Sequence, residues 1–400
     1  MIKHLLFSLL LCSWLCTAQA QWQAISNYAG GSTYSAASFV IGNTAYVGGG
    51  NPSQRGMFSY DPNSDAWTAA GNIAGNVNRA SPIAFSINGI GYIGGGGDKG
   101  AGVTNSFYAY DPETETWTEK ASFSGGKQHS GCYVSTATKG YVIAGTADSG
   151  PTDHTWEYDP TSDTWTEKAA FPGGATYWPS GFEIDGKIYV GVGSGPSGVS
   201  TDFYEYDPGT DKWTQKASFP GDARSSAVGF AYNGKGYIGG GLNGSFTSSF
   251  GDFYEYNPDK DEWSAMPSLA SPVNSTAWST AFVIGSTVYF GTGASVSGGI
   301  APSAKFYKAD LGGSTEVQEY KNQAANSVAI FPNPGTGSIR IDVGTNDVTK
   351  LEIIDVQGNT VRSLVGIKTS VEVNQLPVGV YIVRVRLAEG GESIQRLLVY

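Results

Sequence analysis

The chain has 400 residues, of which 56 are glycine, 13% are aromatic and only 15% are charged, and its formal net charge is −11 at pH 7. This length is too great for one ordinary core and suits one large repeat domain with a small second domain. Abundant Gly, Ser, Thr and Tyr predict an all-β protein rich in turns. The acidic balance argues against nucleic acid or an anionic membrane as a partner.

Residues 1–20 have the features of a secretory signal peptide. A positive start is followed by a short apolar run, and Ala18-Gln19-Ala20 has the small-x-small pattern of a cleavage site. We therefore expect export and a mature chain that begins at Gln21. The alternative, a lipid anchor on Cys16, is disfavoured because bulky residues stand before it where small ones are expected. No later stretch is apolar for long enough to predict a transmembrane segment.

Removal of the signal peptide leaves Cys132 as the single cysteine of the mature chain. An internal disulfide is therefore excluded, although the protein is expected to be exported. Cys132 lies in an apolar strand pattern, which is typical of a small buried side chain. The loss of Lys3 leaves 23 basic and 35 acidic side chains, a net charge of −12.

One turn recurs at intervals of about fifty residues, as the strings "YDPNSDAW", "YDPETETW", "YDPTSDTW", "YDPGTDKW" and "YNPDKDEW". Around it, each unit contains an apolar strand, a tight turn, a second strand that ends in glycines, a variable loop, and two further strands. A period of this length with four strands per unit is the signature of propeller blades. Pro fixes φ in the turn and the preceding Asp accepts a hydrogen bond from backbone two residues on, so the chain reverses sharply.

The number of blades follows from the second strands, which carry a Tyr before their glycines at six places: Tyr46, Tyr92, Tyr141, Tyr189, Tyr237 and Tyr289. The sixth unit ends "FYKADLG" and has no Trp strand after it. The string "WQAISNY", which begins at Trp22, matches the missing strand. We therefore predict six blades in a ring closed by pairing of residues 22–28 beside residues 303–311, which removes the open sheet edges.

The Gly-Gly, Tyr-Asp-Pro and Trp pattern at this spacing resembles kelch repeats over residues 22–311. The resemblance implies a six-bladed kelch-type β-propeller over residues 21–311. It specifies an architecture and says little about chemistry.

The composition changes after Leu311. Residues 312–327 are polar and predict a linker. Over residues 328–400, alternating apolar residues predict a small antiparallel β-sandwich of about seven strands. The strings "FPNP", "DVQGNTV" and "LPVGVYIV" resemble the C-terminal sorting domain of type IX secretion, found in Bacteroidetes, although Arg396 stands where that family often has Lys. The resemblance implies the secretion machinery as a partner, passage from the periplasm through the outer membrane, and then removal of this domain or surface anchoring. An ordinary carbohydrate-binding or immunoglobulin-like appendage is the alternative.

The residues that vary most between repeats stand just before each first strand, where they are expected to surround one face of the propeller. They are Tyr34, Arg79, Lys127, His129, Trp178, Arg224 and Trp278. Aromatic faces with Arg and Lys between them suit sugars, and acidic sugars in particular, so this face is the predicted ligand site. The alternative is structural, because Arg at the positions of Arg79 and Arg224 is common in kelch repeats.

Glu183 is the one candidate for acid–base chemistry. At the position interpreted as equivalent, the other blades have apolar or small residues: Val40, Ser86, Val134, Ala231 and Val283. A carboxylate on an innermost strand lines the channel, where burial would raise its pKa. The alternative is a solvated glutamate that faces channel water.

No metal or cofactor is predicted. The mature chain has only His129 and His154, near Asp148 and Asp153, without the tight spacing of a metal site. A copper-radical enzyme similar to galactose oxidase is disfavoured because Cys132 and both His fall in one repeat. No catalytic triad order or phosphate loop is present.

Three functions follow from these observations. The first is a secreted or surface-attached propeller that binds a glycan or protein ligand without catalysis. The second is a sugar epimerase or mutarotase similar to the bacterial kelch-type sialate epimerases, with Glu183 and an Arg of the loop face as the acting residues. The third is a structural matrix protein.

Overall fold

The protein is described by a computed structural model that covers residues 22–52, 54–98, 102–266, 276–312, 329–331, 338–343, 348–355, 360–387 and 392–399. The predicted signal peptide and almost all of the predicted linker lie outside these residues. The chain divides into two compact units between Gly313 and Ser314. No helix of the described residues is long and apolar enough to cross a membrane.

The first unit consists of six antiparallel sheets whose innermost strands contact one another in a closed ring. The strands of each blade are given from the channel outward. Blade 1 contains β2 (Ala37–Ile41), β3 (Thr44–Gly48), β4 (Gly56–Asp61) and β5 (Ala66–Asn72), and blade 2 contains β6 (Ile83–Ile87), β7 (Ile90–Gly94), β10 (Phe107–Asp111) and β11 (Thr116–Lys120). Blade 3 contains β13 (Cys132–Ser135), β14 (Gly140–Ala147), β15 (Gly150–Asp159) and β16 (Thr164–Lys168).

Blade 4 contains β17 (Ser180–Ile184), β18 (Lys187–Gly191), β21 (Phe203–Asp207) and β22 (Lys212–Gln215), and blade 5 contains β23 (Val228–Tyr232), β24 (Lys235–Gly239), β25 (Phe253–Asn257) and β26 (Glu262–Met266). Blade 6 contains β27 (Thr280–Ile284), β28 (Thr287–Gly291), β31 (Phe306–Asp310) and β1 (Gln23–Ile25). The loops carry the short strands β8 (Gly97–Asp98), β9 (Gly102–Val103), β12 (Gln128–His129), β19 (Ser194–Gly195), β20 (Gly198–Val199), β29 (Ala294–Ser295) and β30 (Ala301–Pro302).

The N-terminal strand completes the last blade. β1 pairs antiparallel with β31, and Ala24 lies opposite Tyr307. Trp22 packs against Phe253 and Phe290, with ring centroids 5.7 Å apart in both cases. The two ends of the propeller chain are therefore held in one sheet, and the aromatic packing of the other Trp strands is repeated there.

The repeated turn joins each of four blades to the blade before it. In blade 3, Asp159 accepts a hydrogen bond from the N–H two residues on, at 2.8 Å, as the sequence predicts. Asp163 accepts a hydrogen bond from the Tyr158 hydroxyl at 2.7 Å and another from the N–H of Ala121 in blade 2 at 3.0 Å. The Trp165 indole N–H donates to the carbonyl of Ala121 at 3.1 Å. The second acidic residue of the motif thus binds the neighbouring blade.

The same inter-blade bond recurs at equivalent places: Asp65 with Ser26, Asp211 with Ala169, and Asp261 with Ala217. These aspartates, like Asp163, have φ between +50° and +54°. The left-handed backbone is tolerated by Asp, and it turns the carboxylate toward the neighbouring strand.

The second unit contains seven strands among its described residues, arranged in two antiparallel sheets. They are β32 (Ala329–Phe331), β33 (Ser338–Asp342) and β36 (Ser370–Asn374) in one sheet, and β34 (Val348–Asp355), β35 (Thr360–Ile367), β37 (Gly379–Leu387) and β38 (Glu392–Val399) in the other. Buried residues of both sheets, such as Ile341 and Val383, pack in one core. This arrangement is the predicted β-sandwich.

Candidate functional site

Six residues form a closed ring of backbone hydrogen bonds at one mouth of the propeller channel. They precede the innermost strands, and we call them the mouth ring: Ser35, Ser81, Ser130, Trp178, Ser226 and Trp278. Each N–H donates to the carbonyl of the equivalent residue in the preceding blade over 2.7–3.4 Å, and the bond from Ser35 to Trp278 closes the circle at 2.8 Å. All six have φ between +50° and +58° although none is glycine. Such backbone costs free energy and is held by its surroundings, here by the six bonds themselves.

A cavity of about 240 Å³ lies inside this ring. It is lined by the mouth ring and by the three residues that follow each ring position, except Ile83 in blade 2. No Asp, Glu, Lys, Arg or His occurs among the described residues that line it. Its surface consists of serine and threonine residues, small apolar side chains and two indoles. The cavity is therefore uncharged. Cys132 lines it and is 4% exposed, as expected for a small buried side chain.

Tyr133 is the only large side chain at its level of the channel. The equivalent residues of the other blades are Ser38, Ala84, Gly181, Gly229 and Ala281. The Tyr133 hydroxyl donates to the Ser81 carbonyl at 3.3 Å and accepts a hydrogen bond from the N–H of Gly131 at 2.9 Å. Burial raises the pKa of Tyr133, so the phenol is neutral. The ring of Tyr133 therefore bounds the cavity without adding charge.

Four aromatic side chains lie in contact across the mouth. The rings of Trp178 and Trp278 are 5.7 Å apart at an interplanar angle of 72°. Tyr34 lies 5.4 Å from Trp278, and Phe246 lies 5.9 Å from Trp178. Three of these residues are predicted ligand contacts, and the structure brings them together. The two pairs that contain Trp178 are edge-to-face and the pair of Tyr34 with Trp278 is tilted, both of which are preferred arrangements of aromatic rings.

Phe246 stands in the loop between the second and third strands of blade 5 and is 36% exposed. Its N–H donates to the carbonyl of Asn243 at 3.1 Å. The side chain of Asn243 in turn accepts the N–H groups of Thr247 and Ser248 at 3.0 and 3.2 Å. A large aromatic ring is thus presented to solvent on an ordered loop.

Four polar atoms of the lining residues have no hydrogen-bond partner among the described residues. They are the indole N–H groups of Trp178 and Trp278 and the hydroxyls of Ser226 and Ser279, and all four atoms are buried. A buried polar group without a partner costs about 1–3 kcal/mol. Solvent in the cavity does not reach these four atoms, so they lie behind its surface rather than on it.

The expectation that Arg79 and Arg224 are exposed on the loop face is wrong, because both are 0% exposed. Arg224 donates to Asp252 at 2.6 and 2.9 Å and to the Gly240 carbonyl at 3.1 Å, and it lies over the Phe250 ring at 4.2 Å. These partners hold the guanidinium inside blade 5, so it is structural rather than available to a ligand.

Arg79 has the same place in blade 2. Its guanidinium donates to the Gly95 carbonyl at 2.6 Å and to the Ser106 hydroxyl at 2.7 Å. Burial lowers its pKa to about 10, which leaves it charged at neutral pH. In blade 3, Gln128 occupies the equivalent position and donates to the Ala144 carbonyl. In these three blades, the position two residues before the mouth ring therefore carries a buried donor that fixes the loop.

Lys127 and His129 lie beside the mouth but do not line the cavity. Lys127 is exposed. His129 is half-buried, and its Nδ1 lies 2.7 Å from the Ser130 hydroxyl. Burial lowers the pKa of His129, so the imidazole is neutral at neutral pH. Neither side chain contributes charge to the cavity wall.

Glu183 lies at the other end of its strand. Its carboxylate accepts a hydrogen bond from the N–H of Gly186 in the turn that follows β17. It is five residues beyond Trp178, which corresponds to about 16 Å along an extended strand. The register also corrects the column assigned to Glu183. Val134 pairs with Tyr141, so Ser135 rather than Val134 is the equivalent residue in blade 3.

No group of three or more His, Cys, Asp or Glu in the described part of the chain comes close enough to hold a metal ion. His154 pairs with Glu167 on exposed strands, separate from the mouth.

The sequence analysis missed the serines of the mouth ring, Tyr133 and Phe246. Two signals could have found some of them. Serine recurs at one position before the first strand in four of six repeats, and Tyr133 interrupts a column of small residues. Phe246 lies in the loop between the second and third strands, whose sequence differs from repeat to repeat, so a comparison between repeats does not mark it.

Three family models match the chain. Residues 128–293 match the KLHDC2/KLHL20/DRC7 Kelch-repeats domain, residues 91–124 match the Kelch motif, and residues 329–400 match the Secretion system C-terminal sorting domain. No curated protein matches the chain significantly. Among solved structures, that of YjhT is similar, with a TM-score of 0.61 at 16% identity over 70% of this chain and 95% of that chain. At this identity the likeness shows the fold alone.

Proposed function

The chain is a kelch-repeat β-propeller that ends in a secretion system C-terminal sorting domain, and on this basis we propose that it is exported and binds a neutral carbohydrate at the mouth of its channel. The observation that carries the proposal is the uncharged cavity lined by Trp178, Trp278 and the serine residues of the mouth ring. No catalytic step is part of the proposal.

The chemistry of the wall matches a sugar. Indole rings supply large apolar area to the C–H face of a pyranose ring. Serine hydroxyls both donate and accept, as sugar hydroxyls do. Binding sites of this kind combine aromatic walls with a few placed polar groups.

The geometry favours a neutral sugar over an acidic one. The two arginines expected to bind a carboxylate are buried and paired within their own blades. Lys127 is exposed outside the cavity, and the chain is net acidic. An anionic ligand would therefore meet a wall without cations and a repulsive surrounding field.

A sugar-modifying enzyme is the weaker candidate. Its acting residues would be Glu183 and an arginine of the loop face, but Glu183 lies at the far end of β17 and the arginines are buried. General acid–base catalysis needs the acting groups within hydrogen-bond reach of one substrate. A purely structural matrix role leaves the uncharged cavity and its two tryptophans unexplained.

The test is a glycan array probed with the mature chain, residues 21–400, followed by affinity measurements at low and high salt. We expect binding to neutral glycans with less than about a twofold change in Kd between the two salt conditions, because no charge lines the site. Binding confined to sialylated or sulfated glycans and lost at high salt would contradict the proposal. Absence of binding to any glycan would overturn it.

We further propose that residues 329–400 direct the propeller from the periplasm to the cell surface. Truncation after Gly313 should leave a folded propeller in the periplasm, because the first unit has its own core. Surface labelling of intact cells measures delivery, and limited proteolysis of the periplasmic fraction measures folding. The full chain in the same strain is the control. Equal surface labelling of both forms would refute the sorting role.

A further inference from the structure

We propose that the mouth recognises the end of a sugar chain, with the terminal unit in the cavity and the next unit against Phe246. This inference rests on the proposed function and narrows it from neutral carbohydrate to the terminus of a neutral oligosaccharide.

The rim of the cavity is closed on all sides. The mouth ring runs through every blade and returns from Trp278 to Ser35 without a gap. A groove open at two ends admits the middle of a chain, whereas a recess with a continuous rim admits only an end. The cavity inside this ring is therefore suited to a terminal unit.

The lower limit of the cavity is also defined. Its lining ends at the level of Tyr133, whose hydroxyl is bonded to Ser81 of the neighbouring blade. Neighbouring inner strands pack tightly there, because a Cβ on Gly229 of blade 5 would lie 2.4 Å from the carbonyl oxygen of Gly181 of blade 4. The cavity therefore ends three residues beyond the mouth ring.

The volume agrees with a single unit. About 240 Å³ is below the range of about 300–1,000 Å³ typical of pockets that enclose drug-sized ligands. Trp178 and Trp278 meet at 72°, so one ring face and one ring edge border the same space. A second unit must lie outside the rim.

Phe246 is the surface available to that second unit. It contacts Trp178 but does not line the cavity, and it is one of few large apolar side chains exposed among the described residues. Its loop is fixed by the hydrogen bonds of Asn243. An ordered aromatic ring beside the rim fits a stacking contact with the unit that follows the terminus.

The experiment measures Kd of the mature chain for the monomer, dimer and hexamer of malto-, cello- and chito-oligosaccharides, and for α-cyclodextrin as a ring without ends. We expect affinity to rise about 2- to 10-fold from monomer to dimer in the series that binds, as one aromatic contact supplies, and then to stay level to the hexamer. The cyclic sugar should not bind.

Phe246→Ala should remove the gain of the dimer, so that monomer and dimer bind with equal affinity. Ile300→Ala is the matched control, because Ile300 is 56% exposed in the corresponding loop of blade 6 and should have no effect. Affinity that climbs steadily to the hexamer, or binding of α-cyclodextrin, would overturn end recognition while the proposed function stands. Binding of none of the sugars would overturn both.

Discussion

Replacing Arg224 with alanine should lower the thermal stability of the propeller strongly. The side chain is fully buried, forms a two-bond pair with Asp252, and lies over the rings of Phe219 and Phe250. Removal leaves a cavity between the two rings and leaves the Asp252 carboxylate and the Gly240 carbonyl without their donor. Removal of one partner of a buried pair typically costs about 3–5 kcal/mol.

Differential scanning calorimetry of the mature chain provides the measurement. Lys260→Ala removes an exposed cation from the same blade and should change stability by less than about 0.5 kcal/mol. The double variant R224A/D252A should be less destabilised than the sum of the two single variants, because it leaves no unpaired carboxylate. If R224A keeps wild-type stability and loses only glycan binding, Arg224 is a ligand contact and its structural assignment is wrong.

The architecture could be predicted from the sequence because the six repeats can be compared with one another. The turn motif and the Tyr-Gly strands mark each blade, and the unmatched Trp22 at one end with the incomplete unit at the other indicates closure. The structure pairs β1 with β31 accordingly. The role of the second acidic residue, such as Asp163, was not accessible, because its partner Ala121 lies in another blade.

The candidate site could be predicted from the sequence only in part. Variation between repeats correctly directs attention to Tyr34, Trp178 and Trp278, which the structure places in contact. The same criterion wrongly included the two arginines. Their burial depends on partners that come from other strands, such as Asp252 for Arg224. Residue type alone does not distinguish an arginine that binds a ligand from one that fixes its own loop.

The mouth ring could not be predicted for a different reason. Non-glycine residues rarely adopt positive φ, so a serine or tryptophan carries no sequence signal for it. The conformation follows from closure of the six blades, in which each N–H finds the carbonyl of the preceding ring residue. Because the backbone of the ring is fixed by this circle, its side chains can vary between serine and tryptophan without loss of the fold.

Because the ring positions accept either serine or tryptophan, the variant W178S/W278S tests the two tryptophans without a change to the fold. It should weaken binding of a neutral glycan by about 30-fold or more. One buried aromatic anchor at a binding site typically contributes about 2 kcal/mol or more, which corresponds to about 30-fold in Kd, so the loss of both indoles should reach at least that factor. Serine is the natural residue at the other four ring positions and there adopts φ between +50° and +58°. The ring of backbone hydrogen bonds should therefore persist, and the melting temperature should change little.

Trp165→Ser is the contrasting variant. Trp165 is 9% exposed, packs on Phe107 and Phe123, and donates its indole N–H to Ala121. Its loss should destabilise the propeller by about 3–5 kcal/mol, as for other buried aromatic residues. Calorimetry and glycan titration of both variants separate the two kinds of tryptophan. If W178S/W278S melts as early as Trp165→Ser, the mouth tryptophans belong to the core. If it stays folded and binds as tightly as the wild type, the carbohydrate site lies elsewhere.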